Sequence, residues 1–358
     1  MLLDSETLEA LARGCGILGA GGGGAPAVGL LAAKRALDLH GPCHVVDLDD
    51  LPDGELVLPI GMVGAPTVSI EKIGNGGEGG RIVRRVEELA GRRVAALMSC
   101  EIGGSNGLYP ATQAARLGLP IVDADGMGRA FPKMTQVSME IAGVSPSPCV
   151  MTDERANVVT IDPADGPWLE TLCRATAVAF GGRAISSEYL MAVGEARRAT
   201  VRGTISLAVR IGRAIASADL DPAEALLGEV GGVRLLEGKV VDVERRVTDG
   251  FVRGAAQIEG LRDDAGRAVR LELQNENLVA LEERRVLASV PDIISVIDMQ
   301  TGDGLSTELL RYGQRVRVVA FPCDPVWRGP RGLELAGPRS FGYDFDYQPV
   351  ELLSGDAA

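Results

Sequence analysis

The chain has few aromatic residues, 4% Phe, Trp and Tyr, and only two histidines, His40 and His44. A histidine-rich zinc site is thereby excluded. HExxH is absent, as is GxxxxGK followed by Ser or Thr, so zincin and P-loop chemistry lose their signatures. The six cysteines (Cys15, Cys43, Cys100, Cys149, Cys173 and Cys323) are far apart and form no CxxC, which argues against a disulfide framework and a ribbon-type zinc site. Most are expected to be reduced. Apolar runs such as Val94–Met98 are cut by charges or glycines long before the roughly 18 residues of a membrane span. Basic residues are in deficit, 36 against 49 acidic ones, and a formal charge of −13 repels phosphate backbones. Neither a membrane nor a nucleic acid is an expected partner. The segment Met1–Glu6 lacks the basic-then-apolar order of a signal peptide, so a cytoplasmic location is expected.

What is present is the composition of a globular protein, 46% hydrophobic and 24% charged, in a chain of 358 residues that suits two domains. Residues 1–165 alternate helical and strand-like patterns, which predicts an α/β N-terminal domain with a mainly parallel sheet. A first helix capped by Ser5 is expected to end in the loop Gly14–Gly24. A second, from about Ala27 to Leu39, leads into strands at Cys43–Leu48, Leu56–Ile60, Arg93–Cys100 and Pro120–Asp123. Residues 166–226 carry helical periodicity, with apolar faces over Trp168–Ala179 and Ile205–Ala216. From Val233 onward, alternation at Lys239–Val243 and Leu271–Leu273, broken by Asp249-Gly250 and Asp264–Gly266, predicts hairpins. Residues 166–358 are therefore a helical segment followed by a mostly β C-terminal domain. No fixed-period repeat is present.

Three motifs carry the chemistry. Gly14–Gly19 and Gly19–Gly24 both match GxGxxG, but a helix rather than a strand precedes them and Asp47 lies too far off for a dinucleotide fingerprint. No nucleotide is expected. Gly21, Gly22, Gly23 and Gly24 instead suit close backbone approach, as tight packing or as amides aimed at a substrate carboxylate or oxyanion. A second glycine cluster, Glu71–Gly80, follows the turn Gly64–Thr67 at a strand end, where α/β sheets bind ligands. Glu71 and Lys72 are its substrate-binding candidates, and a mobile solvent loop is the alternative. The densest set is Cys100–Asn106 with Asp123–Lys133, each piece following an apolar strand. Its thiol is a candidate nucleophile or soft metal ligand, and its carboxylates candidate metal ligands or general bases. Arg129 is a candidate clamp for a substrate carboxylate. Singly, Cys100 also fits a small buried apolar residue, and Asp123 or Asp125 a turn cap.

Taken together, Leu18–Gly24, Glu101–Asn106, Asp123–Pro132 and Gln274–Leu278 resemble the S-methyl thiohydantoin desulfurase-like family, and the resemblance continues through Pro291–Ile294, Leu310–Gly313 and Gly337–Tyr343. It implies an N-terminal and a C-terminal domain, an association with hydantoinase/oxoprolinase systems, and cleavage of a carbon–sulfur bond, or a related hydrolysis, on a hydantoin-like ring. On that basis Cys100, Glu101, Asn106, Asp123, Asp125, Arg129 and Lys133 are expected to be catalytic. Cys100, Asp123 and Asp125 are candidates for a divalent metal such as zinc, and Asn275, Glu276 and Asn277 are candidates to reach the cleft, with strand alternation sending Asn275 and Asn277 to one face and Glu276 to the other. The expected partner is a small acidic molecule, with a homo-oligomer possible in principle. The competing readings are a non-catalytic metabolite-binding or regulatory subunit and, more weakly, a nucleotide-dependent enzyme.

Overall fold

The structure is a computed structural model that describes residues 1–64, 68, 71–217, 221–248 and 251–353. The predicted turns at Gly64–Thr67 and Asp249-Gly250 fall largely or wholly outside the described residues. A first sheet has ten strands: β1 (Leu2–Leu3), β2 (Cys43–Val46), β3 (Leu56–Gly64), β4 (Val94–Ser99), β5 (Ile121–Asp125), β6 (Cys149–Thr152), β7 (Val158–Ile161), β8 (Arg183–Ser187), β9 (Met191–Ala192) and β10 (Val201–Arg202). Its main path is β1-β2-β5-β4-β3-β8-β6-β7, with β9 on β3 and β10 on β5. The centre, β2-β5-β4-β3, is parallel. Antiparallel strands extend it on both sides.

The central strands are apolar on both faces, as a covered sheet requires. Leu58 and Ile60 of β3 and Leu97 of β4 pack on one side with Leu8 and Leu11, whereas Val57, Ala96 and Met98 pack on the other with Leu169 and Trp327. Period-two alternation thus feeds two cores from the same strands. The helices are α1 (Ser5–Leu18), α2 (Pro26–His40), α3 (Glu78–Ala90), α4 (Tyr109–Leu117), α5 (Gly166–Ala179), α6 (Thr204–Ala216) and α7 (Pro222–Val230), with shorter turns between.

Helix α1 departs from expectation at both ends. Its cap is Asp4, whose carboxylate accepts from Thr7 N at 2.8 Å, one residue before Ser5. It also runs through Gly14 and Gly16 and stops at Gly19. A Cβ on Gly14 would stand 1.9 Å from the Ala208 carbonyl oxygen, and one on Gly212 would stand 1.8 Å from that of Ala10. These glycines exist to bring α1 and α6 into backbone contact, and the first GxGxxG match lies inside a helix.

The second sheet is antiparallel and has seven strands: β11 (Val233–Thr248), β12 (Phe251–Gly260), β13 (Ala268–Gln274), β14 (Glu276–Glu282), β15 (Arg285–Ser289), β16 (Ile293–Asp298) and β17 (Arg315–Phe321), in the order β15-β14-β13-β12-β11-β17-β16. It has its own core around Ile258, Leu271, Val296 and Val318. The fold class is as expected, an α/β domain and a mostly β domain. Residues 166–226 are not wholly helical, however. β8, β9 and β10 emerge from this stretch and return to the first sheet, because the Gly181-Gly182 pair, both at positive φ, ends α5 and lets the chain turn onto β3.

The two domains are pinned by hydrogen bonds to backbone carbonyls. Asn277 N donates to Ala20 O at 2.7 Å, Thr307 N to Gly21 O at 2.8 Å, and Trp327 Nε1 to Met127 O at 2.7 Å.

Candidate functional site

A cavity of about 800 Å³ lies where the ends of β3, β4 and β8 meet α2, α4 and the turn between β13 and β14. That volume is within the range of small-molecule sites. Cys100, Glu101, Asn106 and Lys133 line it, as do Gly23, Gly24, Lys72 and Asn275. The cluster predicted after β4 therefore does face a pocket, but only in part.

The acidic end is built on β4 and β8. Cys100 follows β4, and its Sγ lies 3.7 Å from Glu188 Oε1. Gly61 of β3 makes room for it, since a Cβ there would already be 3.3 Å from that sulfur. Asn106 bridges β3 to Glu101: its amide donates to Glu101 Oε1 at 2.6 Å and its oxygen accepts from Met62 N at 2.8 Å. Burial pushes both Glu101 and Glu188 from an ordinary 4.5 up to about 7. Burial, then the neighbouring Glu188 and Glu101, pushes the Cys100 thiol far up, so it stays protonated near neutrality. Glu276, 2% exposed, completes this end; burial and then Glu101 raise it. One carboxyl oxygen on each of Glu101, Glu188 and Glu276 has no partner within the protein. Lys133 is half-buried in the wall and, among the described residues, has no carboxylate partner.

The remaining predicted residues stand elsewhere. The Asp125 carboxylate is fully buried and accepts from Ile102 N, Met127 N and Gly128 N at 2.8–3.0 Å. It clamps the two loops together from behind the cavity, and burial raises it to about 7. Asp123 accepts from the backbone and hydroxyl of Ser206, which fixes α6. Cys100, Asp123 and Asp125 thus do not converge. Among the described residues no group of three or more His, Cys, Asp or Glu is arranged to hold a metal. Arg129 is also fully buried; it donates to Ala130, Pro291 and Asp292 carbonyls and sits 4.5 Å over the Phe131 ring. Burial lowers it to about 10 against the opposing pull of the nearby Glu276 charge, and it does not line the cavity.

Gly21 and Gly22 lie beneath the wall and Gly23 and Gly24 in it. The Gly22 amide is spent on Gly19 O at 2.7 Å. Ser105 N and Asn106 N donate to Gly24 and Gly23 carbonyls, and a Cβ on Gly22 would fall 1.9 Å from Glu276 Oε1. The loop is glycine because it is pressed between the Ile102–Asn106 segment and the second domain. Glu71 is exposed and outside the cavity, whereas Lys72 lines it and pairs with Glu154 at 3.0 Å. Asn277 is buried and donates to Ile294 O at 2.9 Å. Asn275, at φ +57, is the single turn residue between paired Gln274 and Glu276, and its oxygen accepts from Val252 N. This tight turn places both Asn275 and Glu276 in the cavity wall, where strand alternation alone would send them to opposite faces, and leaves Asn277 out of it.

Residues missed at the sequence level are Glu188, Arg183 and Ser186 near β8, and Tyr109, Gln113 and Arg116 on α4. The β-type run Ala184–Ser187 after two glycines was the available signal for the first group. Ser105 is a further wall residue, and Gly103–Gly107 has the GxSxG spacing of a nucleophile elbow. Neither histidine lines the cavity, so Ser105 has no imidazole base there.

An α/β domain is clasped here by an antiparallel β domain, and a buried acidic pocket lies at their junction. Models of the S-Me-THD-like N-terminal domain and the S-Me-THD-like C-terminal domain match residues 6–163 and 164–350, and the chain belongs to this family. The X-ray crystal structure of a protein from Chromobacterium violaceum is similar, with a TM-score of 0.80 and 26% identity over 98% of this chain and 100% of that one. No curated protein matches the chain. Among the described residues no helix is long and apolar enough to cross a membrane.

Proposed function

We propose that the protein is an enzyme that hydrolyses the carbon–sulfur bond of an S-alkyl thiohydantoin-type ring in this cavity. One observation carries the reading: Glu101 and Glu188, both held at about 7, flank a buried thiol in the pocket wall. Acids and bases tuned to neutrality are what proton-coupled hydrolysis needs. The family membership supplies the ring.

In the reaction, ionised Glu188 takes a proton from a water, whose oxygen attacks the ring carbon bearing sulfur. A C–O bond forms and the C–S bond breaks. Glu188 returns that proton to the ring nitrogen, which receives the C=N electron pair on attack, while protonated Glu101 gives its proton to the departing thiolate and regains one from the hydroxyl that becomes the ring carbonyl. The products are the ring carbonyl and a thiol, with no oxidant or reductant involved. Cys100 is a positioning residue: its protonated thiol holds Glu188 and presents a soft surface to the substrate sulfur. Lys133 supplies a positive charge to the pocket. No step runs through a metal, since Cys100, Asp123 and Asp125 do not form one donor set.

The test is thiol release from S-methyl thiohydantoins by purified protein, followed with a thiol-reactive dye. Turnover lost in Glu188→Gln and Glu101→Gln variants that fold normally is the expected result. Tight ring binding with no product from the wild type would overturn the reaction and favour a non-catalytic subunit of a hydantoinase/oxoprolinase system.

A further inference from the structure

The second sheet carries a cleft of about 320 Å³ that shares no lining residue with the cavity. It lies on the face turned away from the core around Ile258 and Leu271, and its floor follows from the strand register. Arg246 of β11 stands directly opposite Arg253 of β12, and Arg253 opposite Gln274 of β13, so one rung presents three donors across three strands. Glu244 and Glu272 take the next rung, one on either side of Ala255. Leu278 of β14, with Phe341 and Tyr343 from beyond β17, forms an apolar wall beside them.

Charge and unmet hydrogen bonds both point to a ligand. Arg246 pairs with Glu244 and Arg270 with Glu272, each at 2.6 Å. Among the described residues Arg253 has no carboxylate at ion-pair distance. It faces Arg246 instead, and like charges directly opposite on neighbouring strands repel. Three arginines against two glutamates leave one positive charge over, in a chain whose formal charge is −13. Gln274 is 6% exposed, and its side-chain amide makes no hydrogen bond among the described residues. Buried amides are rarely left unpaired, and this one opens onto the cleft. The Tyr343 hydroxyl also lacks a hydrogen-bond partner among the described residues. Burial and then Glu272 push it up, with Arg253 and Arg270 pulling the other way, so it stays a donor.

These groups define the chemistry of the occupant. A guanidinium fork takes a carboxylate or a phosphate through two parallel hydrogen bonds, and Gln274 and Tyr343 add neutral donors beside it. Phe341 and Tyr343 offer ring surfaces, which suit a flat ring packed by its face or its edge. The volume is at the small end of the range for ligand sites, enough for one ring with its anionic group. The cleft is also joined to the cavity through one turn. Asn275 N donates to Val252 O at 2.8 Å and Asn275 Oδ1 accepts from Val252 N at 2.9 Å, so the pair that holds the turn before Glu276 consists of the chain neighbours of Gln274 and Arg253.

We propose that Arg253, Gln274 and Tyr343 form a second binding site, for a small organic anion that carries a carboxylate or a phosphate on a flat ring. The site stands apart from the cavity and does not rest on the reaction proposed there.

Calorimetric titration of the full chain with benzoate, phenyl phosphate, benzamide and inorganic phosphate tests it. The expected result is binding of benzoate or phenyl phosphate roughly tenfold or more tighter than that of benzamide or inorganic phosphate, with a loss of about tenfold in Arg253→Gln and a few-fold loss in Tyr343→Phe. The tighter of the two ring anions identifies the preferred group. Circular dichroism checks that each variant is folded. Anion binding that is equal in the wild type and both variants places the ligand elsewhere in the chain and overturns the site. Equal binding of benzoate and benzamide, with phenyl phosphate no tighter, overturns it as well. Inorganic phosphate bound as tightly as phenyl phosphate, with benzoate no tighter, removes the ring and with it the proposal. Binding of none of the four at millimolar concentration overturns the site outright.

Discussion

The acidic end of the cavity and the cleft on the second sheet show how one chain can divide its work. At the acidic end, buried carboxyls crowd a thiol and hold protons near neutrality, because burial disfavours charge and like charges disfavour it further. At the cleft, guanidiniums stay charged, and among the described residues Arg253 has no carboxylate partner. Groups poised to gain and lose protons suit bond making, whereas fixed positive charge suits holding. The lesson is that polar groups lining a pocket have opposite uses according to which charge state the surroundings favour.

The largest expected effect belongs to the acidic end. Glu188→Gln should lower kcat roughly 100-fold or more with KM little changed, measured by steady-state thiol release. A change confined to KM would break the division, since it would make Glu188 a binding group.

Next comes the cleft. Arg253→Gln should weaken calorimetric binding of the ring anion about tenfold and alter kcat for thiol release by less than about twofold. A collapse of kcat would show that the two regions do not act separately.

A third effect is the pH dependence of stability. Glu101, Asp125 and Glu188 hold their protons to about 7 in the folded protein, while the unfolded chain releases them near 4 to 4.5. Their contribution is fully present below that window and is lost as pH rises through 7. Thermal melts should therefore give a higher Tm at pH 5 than at pH 8 from this source. Glu188→Gln should flatten the slope and Arg253→Gln should leave it as it is.

The smallest effect is at the wall of the cleft. Tyr343→Phe removes one neutral donor and should weaken binding of the ring anion a few-fold without touching kcat. An unchanged affinity would remove the Tyr343 hydroxyl from the site.

Much was legible in the residues alone. Short apolar runs marked the strands β2 to β5, and loops leaving such strands pointed to Cys100, Glu101 and Asn106 in the pocket wall. The two-part layout followed from the switch from helical to alternating periodicity. Periodicity reports how a segment packs, however, and not which way a polar side chain turns. Asp123 and Asp125 belong to the same segment as the site residues, yet Ser206 and three backbone amides claim their oxygens. Both are bonded where a sequence can only show them nearby.

The sequence by itself determined the two domains, the central strands and the location of the loop after β4, because those depend on local patterns of apolar residues. Only the tertiary structure decided the membership of the pocket. Glu188 and Arg183 arrive there through antiparallel pairing of β8 with β3, Glu276 through a one-residue turn in the other domain, and Arg116 through the face of α4 set against the glycine cluster Glu71–Gly80. Each of those placements is a contact between residues far apart in the chain, and no local pattern carries it.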